Sequence, residues 1–338
     1  AGSCGSGRTV ALAGMALMVI GRLSDRGETF IQEDCLLDMA GPGARYSPFA
    51  TNVNLAVHLK FAADLPETRE IEVVRDVGVR FARSLAGLVQ HAEPQEVRTI
   101  SGGVSAIARP SGQRSRVAYV CSLISEGPLH DTLLYGKTTA DLTPRWIGLA
   151  ELADGALISS DVHYSNQRTP TIFYQRNPIV QALLDRPEVT FAGVILTLRY
   201  GSDGEKRRGA RAVAELALGA GISGLVTHPA VGGNAHVDAL EIVAESEGAG
   251  IRTALVLQEM AGARGHDFGL VHILPEADAL ISTGNRDELV DLAMLDQVIG
   301  PTTLRHGESA QGGSTVPLRS YLCSTTQVGA HRLTTSVG

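Results

Sequence analysis

The chain has few of the residues that mark several common classes of protein. Its 338 residues include four cysteines and three lysines, and only 4% are aromatic. The cysteines, Cys4, Cys35, Cys121 and Cys323, form no CxxC pair. Such spacing indicates neither a disulfide framework nor a zinc knuckle and is typical of reduced thiols. We therefore expect a cytoplasmic protein.

Motifs of several familiar enzymes are also missing. The sequence has no Gly-x-Ser-x-Gly, no Walker A lysine motif and no HExxH, the signatures of α/β-hydrolases, P-loop NTPases and zincins. A net charge of −7 argues against nucleic-acid and anionic-membrane partners. The apolar run at residues 10–20 is too short to span a bilayer, and we interpret it as a buried strand rather than a signal peptide.

The second half of the sequence alternates between strand and helix patterns. Strands are predicted at residues 191–198 (FAGVILTL), 222–227 (ISGLVT), 251–257 (IRTALVL) and 279–282, with helices at 205–218 and 235–246. This alternation predicts βαβ units and a parallel sheet. The first half is less regular, with strands predicted at 53–59 and 115–123 and a helical segment within 66–88.

These patterns predict an α/β protein of two α/β domains. The first, residues 1–153, begins with a β-rich portion, and an irregular segment at 154–187 connects it to the second. The second, residues 188–338, contains the parallel sheet. After Gly300 it ends in a polar tail, in which 318–323 is a candidate edge strand.

A glycine motif in the second half resembles a dinucleotide fingerprint. Gly219, Gly221 and Gly224 match GxGxxG, but they follow a predicted helix and precede a predicted strand. A dinucleotide site requires the opposite order, so we reject this reading. The repeated GAGI sequences at 219–222 and 248–251 instead indicate helix ends.

Ligands of open parallel sheets bind beyond the carboxyl ends of the strands. The candidates for substrate binding there are Asn234, Glu259, Gly284 and Asn285, although Asn234 is also well placed to cap the following helix. His228 and His236 are the weaker candidates, as metal ligands with Glu259 and His266. Solvated or hydrogen-bonded histidines are the commoner alternative, so no metal is predicted.

Two segments of the first half add further candidates. Residues 38–49 (DMAGPGARYSPF) form a turn-rich segment in which Asp38, Arg45, Tyr46 and Ser47 would bind substrate, unless the segment is only a rigid turn. Residues 127–136 (GPLHDTLLYG) place His130, Asp131 and Tyr135 on one loop as a catalytic group. Adjacent residues seldom form a dyad with each other, so a purely structural loop is the alternative.

Several separated segments resemble one known family. They are residues 38–49, 129–136, 154–158 (DGALI), 177–178, 233–238, 261–262 and 275–300 (PEADALISTGNRDELVDLAMLDQVIG). In this order they resemble the α/β (proprotein) subunit of component B of the glycine, sarcosine and betaine reductases, over nearly the whole chain.

The resemblance implies a particular chemistry. The family's subunit is cleaved before a cysteine, which becomes a pyruvoyl group that engages the substrate amine as a Schiff base. A partner subunit carries a selenocysteine or cysteine that attacks the substrate carbon and expels the amine. The resemblance therefore implies a hetero-oligomer and a small-molecule substrate.

This chain departs from the family at the cleavage segment. Residues 157–176 (LISSDVHYSNQRTPTIFYQR) contain no cysteine, and Asn166 stands at about the expected position. Ser159, Ser160 and Ser165 are nearby, and serine can generate a pyruvoyl group, but the interval is continuous. We therefore expect a divergent member without a pyruvoyl cofactor.

Three functions remain open from the sequence. The preferred one is a cofactor-less oxidoreductase subunit that binds a small amine or carboxylate substrate for a thiol- or selenol-bearing partner and is not active alone. The second is a metal- or acid/base-dependent enzyme on the same scaffold. The third is a non-catalytic scaffold for the partner.

Overall fold

The computed structural model describes residues 4–24, 34–100, 114–127, 130–159, 164–304 and 307–331, together with the backbone of 334–337. Within these ranges no helix combines the length and the apolar character needed to cross a membrane.

The described elements follow one another in this order. The strands are β1 (Met15–Ile20), β2 (Val53–His58), β3 (Arg116–Leu123), β4 (Thr132–Leu134), β5 (Lys137–Thr138), β6 (Arg145–Ile147), β7 (Leu157–Ser159), β8 (Thr190–Leu198), β9 (Gly224–Thr227), β10 (Arg252–Glu259), β11 (Ala279–Asn285), β12 (Leu289–Leu292), β13 (Ser314–Pro317) and β14 (Thr334–Val337). The α-helices are α1 (Glu67–Val89), α2 (Leu149–Ala153), α3 (Thr171–Gln175), α4 (Pro178–Leu184), α5 (Asp203–Gly219) and α6 (Ala235–Gly248). Short 3₁₀ helices lie at Pro42–Tyr46 and Leu318–Ser320.

A central sheet of the described strands has the order β14-β11-β10-β9-β3-β8-β6. Strands β3 and β8 to β11 are parallel, whereas β6 and β14 are antiparallel edge strands. The α/β class with a parallel sheet is therefore confirmed. Numbered along the chain, the parallel strands run 2-1-3-4-5, a doubly wound order whose switch point lies between β3 and β9.

This strand order crosses the sequence-based domain division. Strand β3 comes from the range assigned to the first domain, yet it lies between β8 and β9 of the second range. The connecting range 154–187 contains β7, α3 and α4. The division itself stays a prediction.

Both faces of the sheet are buried, which explains the nearly continuous apolar sequence of β3. Because strand side chains alternate, Tyr119 and Cys121 enter one core cluster with Tyr174 and Val180 of α3 and α4. Val120 enters the opposite cluster, against Val213 and Ala217 of α5. The parallel strands are thus fixed between two helical layers.

Local sequence sets the ends of the helices in the second half. Helix α5 begins with a capping box, in which Ser202 Oγ accepts the Glu205 N–H and Glu205 accepts the Ser202 N–H. Gly221 and Gly250 follow α5 and α6 with φ of +64° and +81°, a conformation that glycine adopts readily. Gly219 ends α5 and Gly224 begins β9, so the predicted order of a helix followed by a strand at the GxGxxG match is confirmed.

The N-terminal part and the tail form smaller structures. Strands β1 and β2 pair in parallel, and β12 and β13 pair antiparallel. The edge strand predicted at 318–323 is wrong, because Leu318–Ser320 is a 3₁₀ helix and Tyr321 makes only an isolated bridge to Leu36. Pro317 at the entrance of this turn has no N–H to extend a ladder.

Candidate functional site

The switch point between β3 and β9 is covered by residues 164–170, here named the crossing segment. Tyr164 packs against a buried apolar cluster of Ile124, which follows β3, and of Ala230, Val231 and Ala235, which follow β9. Gln167 Oε1 accepts hydrogen bonds from Gly232 N at 2.5 Å and from Gln258 Nε2 at 2.6 Å. The crossing segment therefore lies against the carboxyl edge of the sheet, where doubly wound folds bind ligands.

Side-chain amides and a hydroxyl fix the crossing segment in place. This amide network consists of Asn166, Gln167, Gln258, Thr325 and Gln327, all at most 1% exposed. Asn166 Nδ2 donates to Gln258 Oε1 and to Thr325 Oγ1, each at 2.6 Å. Gln327 Oε1 accepts the Gln258 backbone N–H at 3.1 Å. The network joins β10, the crossing segment and the tail in one buried polar unit.

The network leaves two of its own polar atoms without a hydrogen bond. Asn166 Oδ1 and Gln167 Nε2 are buried and have no partner within the described part of the chain. An unsatisfied buried group costs about 1–3 kcal/mol, so such atoms are uncommon in cores. The fold thus retains polar groups at an edge that it could otherwise fill with apolar side chains.

The residues at this place do not fit a pyruvoyl group. Asn166 lacks the thiol or hydroxyl from which the group is made, and both of its amide hydrogens are already donated. Ser165 donates its hydroxyl to Ser320 O at 3.2 Å, and its carbonyl accepts the Cys323 N–H at 2.9 Å. Ser160 lies outside the described residues.

The two histidines considered as metal ligands are buried and neutral. His228 stacks on Tyr119 with 5.6 Å between ring centroids, and burial lowers the pKa of its imidazole to about 4. Burial, with a further contribution from the Arg286 charge, lowers the pKa of His236 to about 4. In the described ranges no group of three or more histidine, cysteine, aspartate or glutamate side chains has metal-binding geometry.

Hydrogen bonds within the segment 38–49 hold its backbone in a turn. The buried Asp38 carboxylate accepts backbone hydrogen bonds from Ala40, Gly41 and Gly43, which lead into the 3₁₀ helix. Arg45 is exposed, and its Nη2 donates a hydrogen bond to Tyr46 Oη at 2.6 Å. A rigid turn accounts for these contacts, and a substrate-binding role stays a prediction.

Ser47 and the aromatic ring of Tyr46 also have structural contacts. Ser47 is buried, and its hydroxyl accepts the Phe49 N–H at 3.3 Å. The Tyr46 ring packs against Tyr321 with 5.2 Å between centroids. Through Tyr321, this segment adjoins the tail that carries Thr325 and Gln327.

Strand β4 separates His130 and Asp131 from Tyr135, the third residue of the predicted catalytic group. Asp131 precedes the strand and accepts hydrogen bonds from Ser125 Oγ at 2.8 Å and Thr138 Oγ1 at 3.1 Å. His130 lies 6.0 Å from Tyr164 between ring centroids, next to the crossing segment. Tyr135 follows β4, has a φ of +52° and donates its hydroxyl to Glu151. Burial, aided by Glu151, raises the pKa of Tyr135.

The candidates of the second half lie near the ends of β10 and β11. Asn285 Oδ1 accepts the Ala261 N–H at 3.0 Å, and its Nδ2 donates to Gly262 O at 2.8 Å, so its side chain holds the loop after β10. Glu259 accepts a hydrogen bond from Ser282, whose hydroxyl also accepts the Gly284 N–H at 3.0 Å. Asn234 stands at the N-cap of α6 but makes no side-chain capping bond.

Sequence reasoning missed most of the amide network. Gln167, Thr325 and Gln327 lie in stretches without a strand or helix pattern, and no motif marks them. Gln258 directly follows the strand predicted at residues 251–257, and nothing else in the local sequence marks it.

The chain matches the family model described as glycine/sarcosine/betaine reductase component B subunits over residues 1–336. It is 29% identical over 323 residues to "Glycine reductase complex component B subunits alpha and beta" of Peptoclostridium acidaminophilum, covering 94% of this chain and 73% of that relative.

Two further relatives come from the same organism. "Sarcosine reductase complex component B subunit alpha" is 29% identical, with 91% of this chain and 71% of the relative covered. "Betaine reductase complex component B subunit alpha" is 27% identical, with 92% and 71% covered. No solved structure matches the chain.

Proposed function

Because the chain belongs to the family of glycine/sarcosine/betaine reductase component B subunits, we propose that it is the substrate-binding subunit of a component B-like complex. It binds a small amine or carboxylate substrate, and a thiol- or selenol-bearing partner subunit cleaves the carbon–heteroatom bond. The partner's thiolate or selenolate attacks the substrate carbon and forms the new bond as the heteroatom group leaves. The chain is then one part of a hetero-oligomeric oxidoreductase.

The observation that carries this proposal is the amide network at the carboxyl edge of the sheet. It supplies buried hydrogen-bonding groups for a polar ligand, and its members carry amides and a hydroxyl but no thiol. Cys121 in β3 is buried, and burial raises the pKa of its thiol to about 12, so the thiol stays protonated at neutral pH. Cys323 beside the crossing segment is fully buried. A thiol from a partner therefore suits this edge.

The proposal assigns no pyruvoyl group to this chain. Asn166 would hold the crossing segment in place through its two donated hydrogen bonds, and substrate recognition would rest on side chains rather than a Schiff base. His130 and Asp131, beside the end of β3, are the proposed acid/base residues, and Tyr135 lies apart from them.

The test is purification of the tagged chain from its native host, followed by intact-mass measurement. We expect a stoichiometric second subunit that contains a cysteine or selenocysteine exposed to alkylation, and an uncut chain. Recovery of the chain alone, or of two fragments divided within residues 157–176, would contradict the proposal.

A matched pair of variants separates a catalytic subunit from a scaffold. Asp131→Asn removes the acceptor charge beside His130, whereas Asp185→Asn, at the C-cap of α4, serves as the control. We expect D131N to lower turnover of the assembled complex at least 10-fold and D185N to leave it unchanged. Unchanged turnover of D131N would favour the scaffold.

A further inference from the structure

Helix α1 carries a stripe of apolar side chains that begins in the core and ends in solvent. Along this stripe Ile71 is 1% exposed, Phe81 43% and Leu88 81%. After Ile71 no residue of the helix is buried, although α1 continues to Val89. Helices of globular proteins owe most of their stability to the packing of an apolar face. The second half of α1 therefore has an apolar face that the described part of the chain leaves uncovered.

The spacing of the stripe is typical of a helix that packs on another helix. Its members recur alternately three and four positions apart, as in the seam between paired helices. The exposed part, here named the α1 seam, consists of Phe81, Leu85 and Leu88. Helices that bind in grooves use anchors at this spacing, so the α1 seam is suited to a helical partner. The whole stripe is Ile71, Val74, Gly78, Phe81, Leu85 and Leu88.

A second apolar surface adjoins the stripe where α1 packs on β1. A Cβ placed on Gly78 would lie 3.5 Å from Val19 Cγ2, so Val19 faces the helix. Residues in register on parallel strands share a face, and Val53 and Leu55 of β2, on this face, are 72% and 37% exposed. One helix therefore covers the face only in part. This strand face consists of Met15, Leu17, Val19, Val53, Leu55 and Val57, none of which is buried.

No charged side chain borders the α1 seam. Between Val77 and Val89 the only charged residues are Arg80 and Arg83, both exposed. At about 100° per residue around the helix, Arg83 lies opposite the seam and Arg80 lies toward the same far side. Charges beside a seam decide which helices pair, and here no like charges would oppose pairing with an identical helix. The bordering positions are Val77, Ala82, Ser84 and Val89.

Two copies of α1 also complement each other in size. In an antiparallel pair with its twofold axis at residue 83, Phe81 faces Leu85 of the second copy, because both lie two positions from the axis. In the same register Leu88 faces Gly78 of the second copy, because both lie five positions from the axis. The most exposed leucine of the seam thus meets a glycine, which leaves space for it beside the strand face.

We propose that two copies of this chain pair through the α1 seam as an antiparallel, twofold-symmetric dimer. The pairing covers the seam of both copies at once and brings each Leu88 over the strand face of the other copy. Because the paired part of the helix, residues 78–89, is only about 18 Å long, the interface is small and the association is reversible. The dimer goes beyond the proposed function and does not depend on it.

The test is sedimentation equilibrium of the purified full chain over a wide range of protein concentration. We expect a monomer–dimer equilibrium. Leu88→Gln weakens it at least about 10-fold, because each dimer then loses two buried leucines. Leu218→Gln, at a 50% exposed leucine of α5, is the matched control and leaves the equilibrium unchanged. A chain that is monomeric at every concentration, or equal dimerisation of Leu88→Gln and wild type, overturns the proposal.

A pair of charge variants tests whether the occupant is a second copy. Residue 84 lies next to the twofold axis, so Ser84→Glu or Ser84→Lys alone places like charges near each other and weakens the dimer. An equimolar mixture of the two variants associates at least as well as wild type, because opposite charges then meet. Gln90→Glu and Gln90→Lys, on the far side of α1, show no gain on mixing. A Ser84 mixture that associates no better than its components overturns the proposal.

The result is separate from the test of function. Dimers formed by a chain that recruits no thiol-bearing partner would keep the α1 interface and reject the proposed function. A chain that is monomeric alone, and whose Leu88→Gln variant no longer assembles with that partner, would assign the α1 seam to the partner and overturn the dimer alone.

Discussion

At the scale of single residues, two buried histidines have pKa values well below the usual range. His228 and His236 are 1% and 3% exposed, and each has a pKa lowered to about 4, chiefly by burial. In the unfolded chain both imidazoles titrate near 6.5. Protonation of these two imidazoles is therefore less favourable in the folded state than in the unfolded state.

This difference predicts that stability falls as the solution is acidified. Since the unfolded chain binds protons first, the free energy of unfolding decreases from about pH 6.5 down to about pH 4, by roughly 3 kcal/mol per histidine. Urea unfolding at pH 7, 6 and 5 measures the slope. His228→Gln should flatten it, whereas His91→Gln, at an exposed position, should not. An equal slope in H228Q and wild type would contradict the assignment.

A buried ion pair couples two helices to the loop after β8. Lys206 Nζ donates to Asp238 and to Tyr200 O at 2.8 Å, and Asp238 accepts the Tyr200 N–H at 3.0 Å. The side chains of the pair are 2% and 5% exposed. Neither charge is hydrated, so each depends on the other.

We expect Lys206→Met to destabilise the fold by about 3–5 kcal/mol, because it leaves a buried carboxylate without its cation. In K206M the folded pKa of Asp238 lies above its unfolded value, so the loss should be smaller at pH 5 than at pH 8. Lys137→Met, at an exposed site in β5, is the matched control. Unfolding curves of both variants at pH 5 and pH 8 measure the loss of stability. A loss that does not change with pH would contradict its assignment to the unpaired Asp238 carboxylate.

At the scale of elements, the position of the crossing segment is the feature that local sequence patterns predict least well. It runs between β7 and α3 and is held by contacts to β10, to the tail and to the turn after β9. Gly232 in that turn approaches it closely. A Cβ at Gly232 would lie 2.3 Å from Gln258 Nε2 and 2.9 Å from Gln167 Oε1.

Gly232→Ala should therefore displace the amide network and lower stability by about 1–3 kcal/mol. Gly219→Ala, at the end of α5, has no atoms within 4 Å of its new Cβ and should be neutral or slightly stabilising. Limited proteolysis with mass mapping would detect new cleavage within residues 164–170 of G232A. Equal stability and equal proteolysis of the two variants would show that the segment tolerates the new methyl group.

At the scale of the whole molecule, the sheet order decides which parts can fold together. Strand β3 lies between β8 and β9 and pairs with β8 along its whole length and with β9 over residues 117–120. Removing it would leave two interior strands with unpaired edges and an incomplete core on both faces.

We therefore expect residues 188–338 alone to lack a cooperative fold, although sequence patterns predict them as a domain. Thermal unfolding followed by circular dichroism would show a broad or absent transition for this fragment and a sharp one for residues 1–338. A sharp transition in the fragment would restore the predicted division of the chain.

The sequence predictions are accurate where the interacting residues are close in sequence and poor where they are far apart. Strands β8 to β11 and helices α5 and α6 were predicted within a few residues, because apolar runs, a capping box and glycine ends are local signals. The candidate site was predicted only in outline. Asn285 and Glu259 were predicted as candidates from the rule about strand ends, but Gln167, Thr325 and Gln327 were missed because their partners are far away in sequence.

The sequence by itself determined the α/β class, the approximate boundaries of α5 and α6, the family and the lack of a cysteine at residues 157–176. These features depend on neighbouring residues or on the order of motifs. Only the tertiary structure decided that β3 lies between β8 and β9, that the crossing segment covers the switch point, and that Asn166 and Gln258 meet in the amide network. The physical reason is that backbone propensity acts over a few residues, whereas strand order and buried polar pairing depend on packing the whole chain.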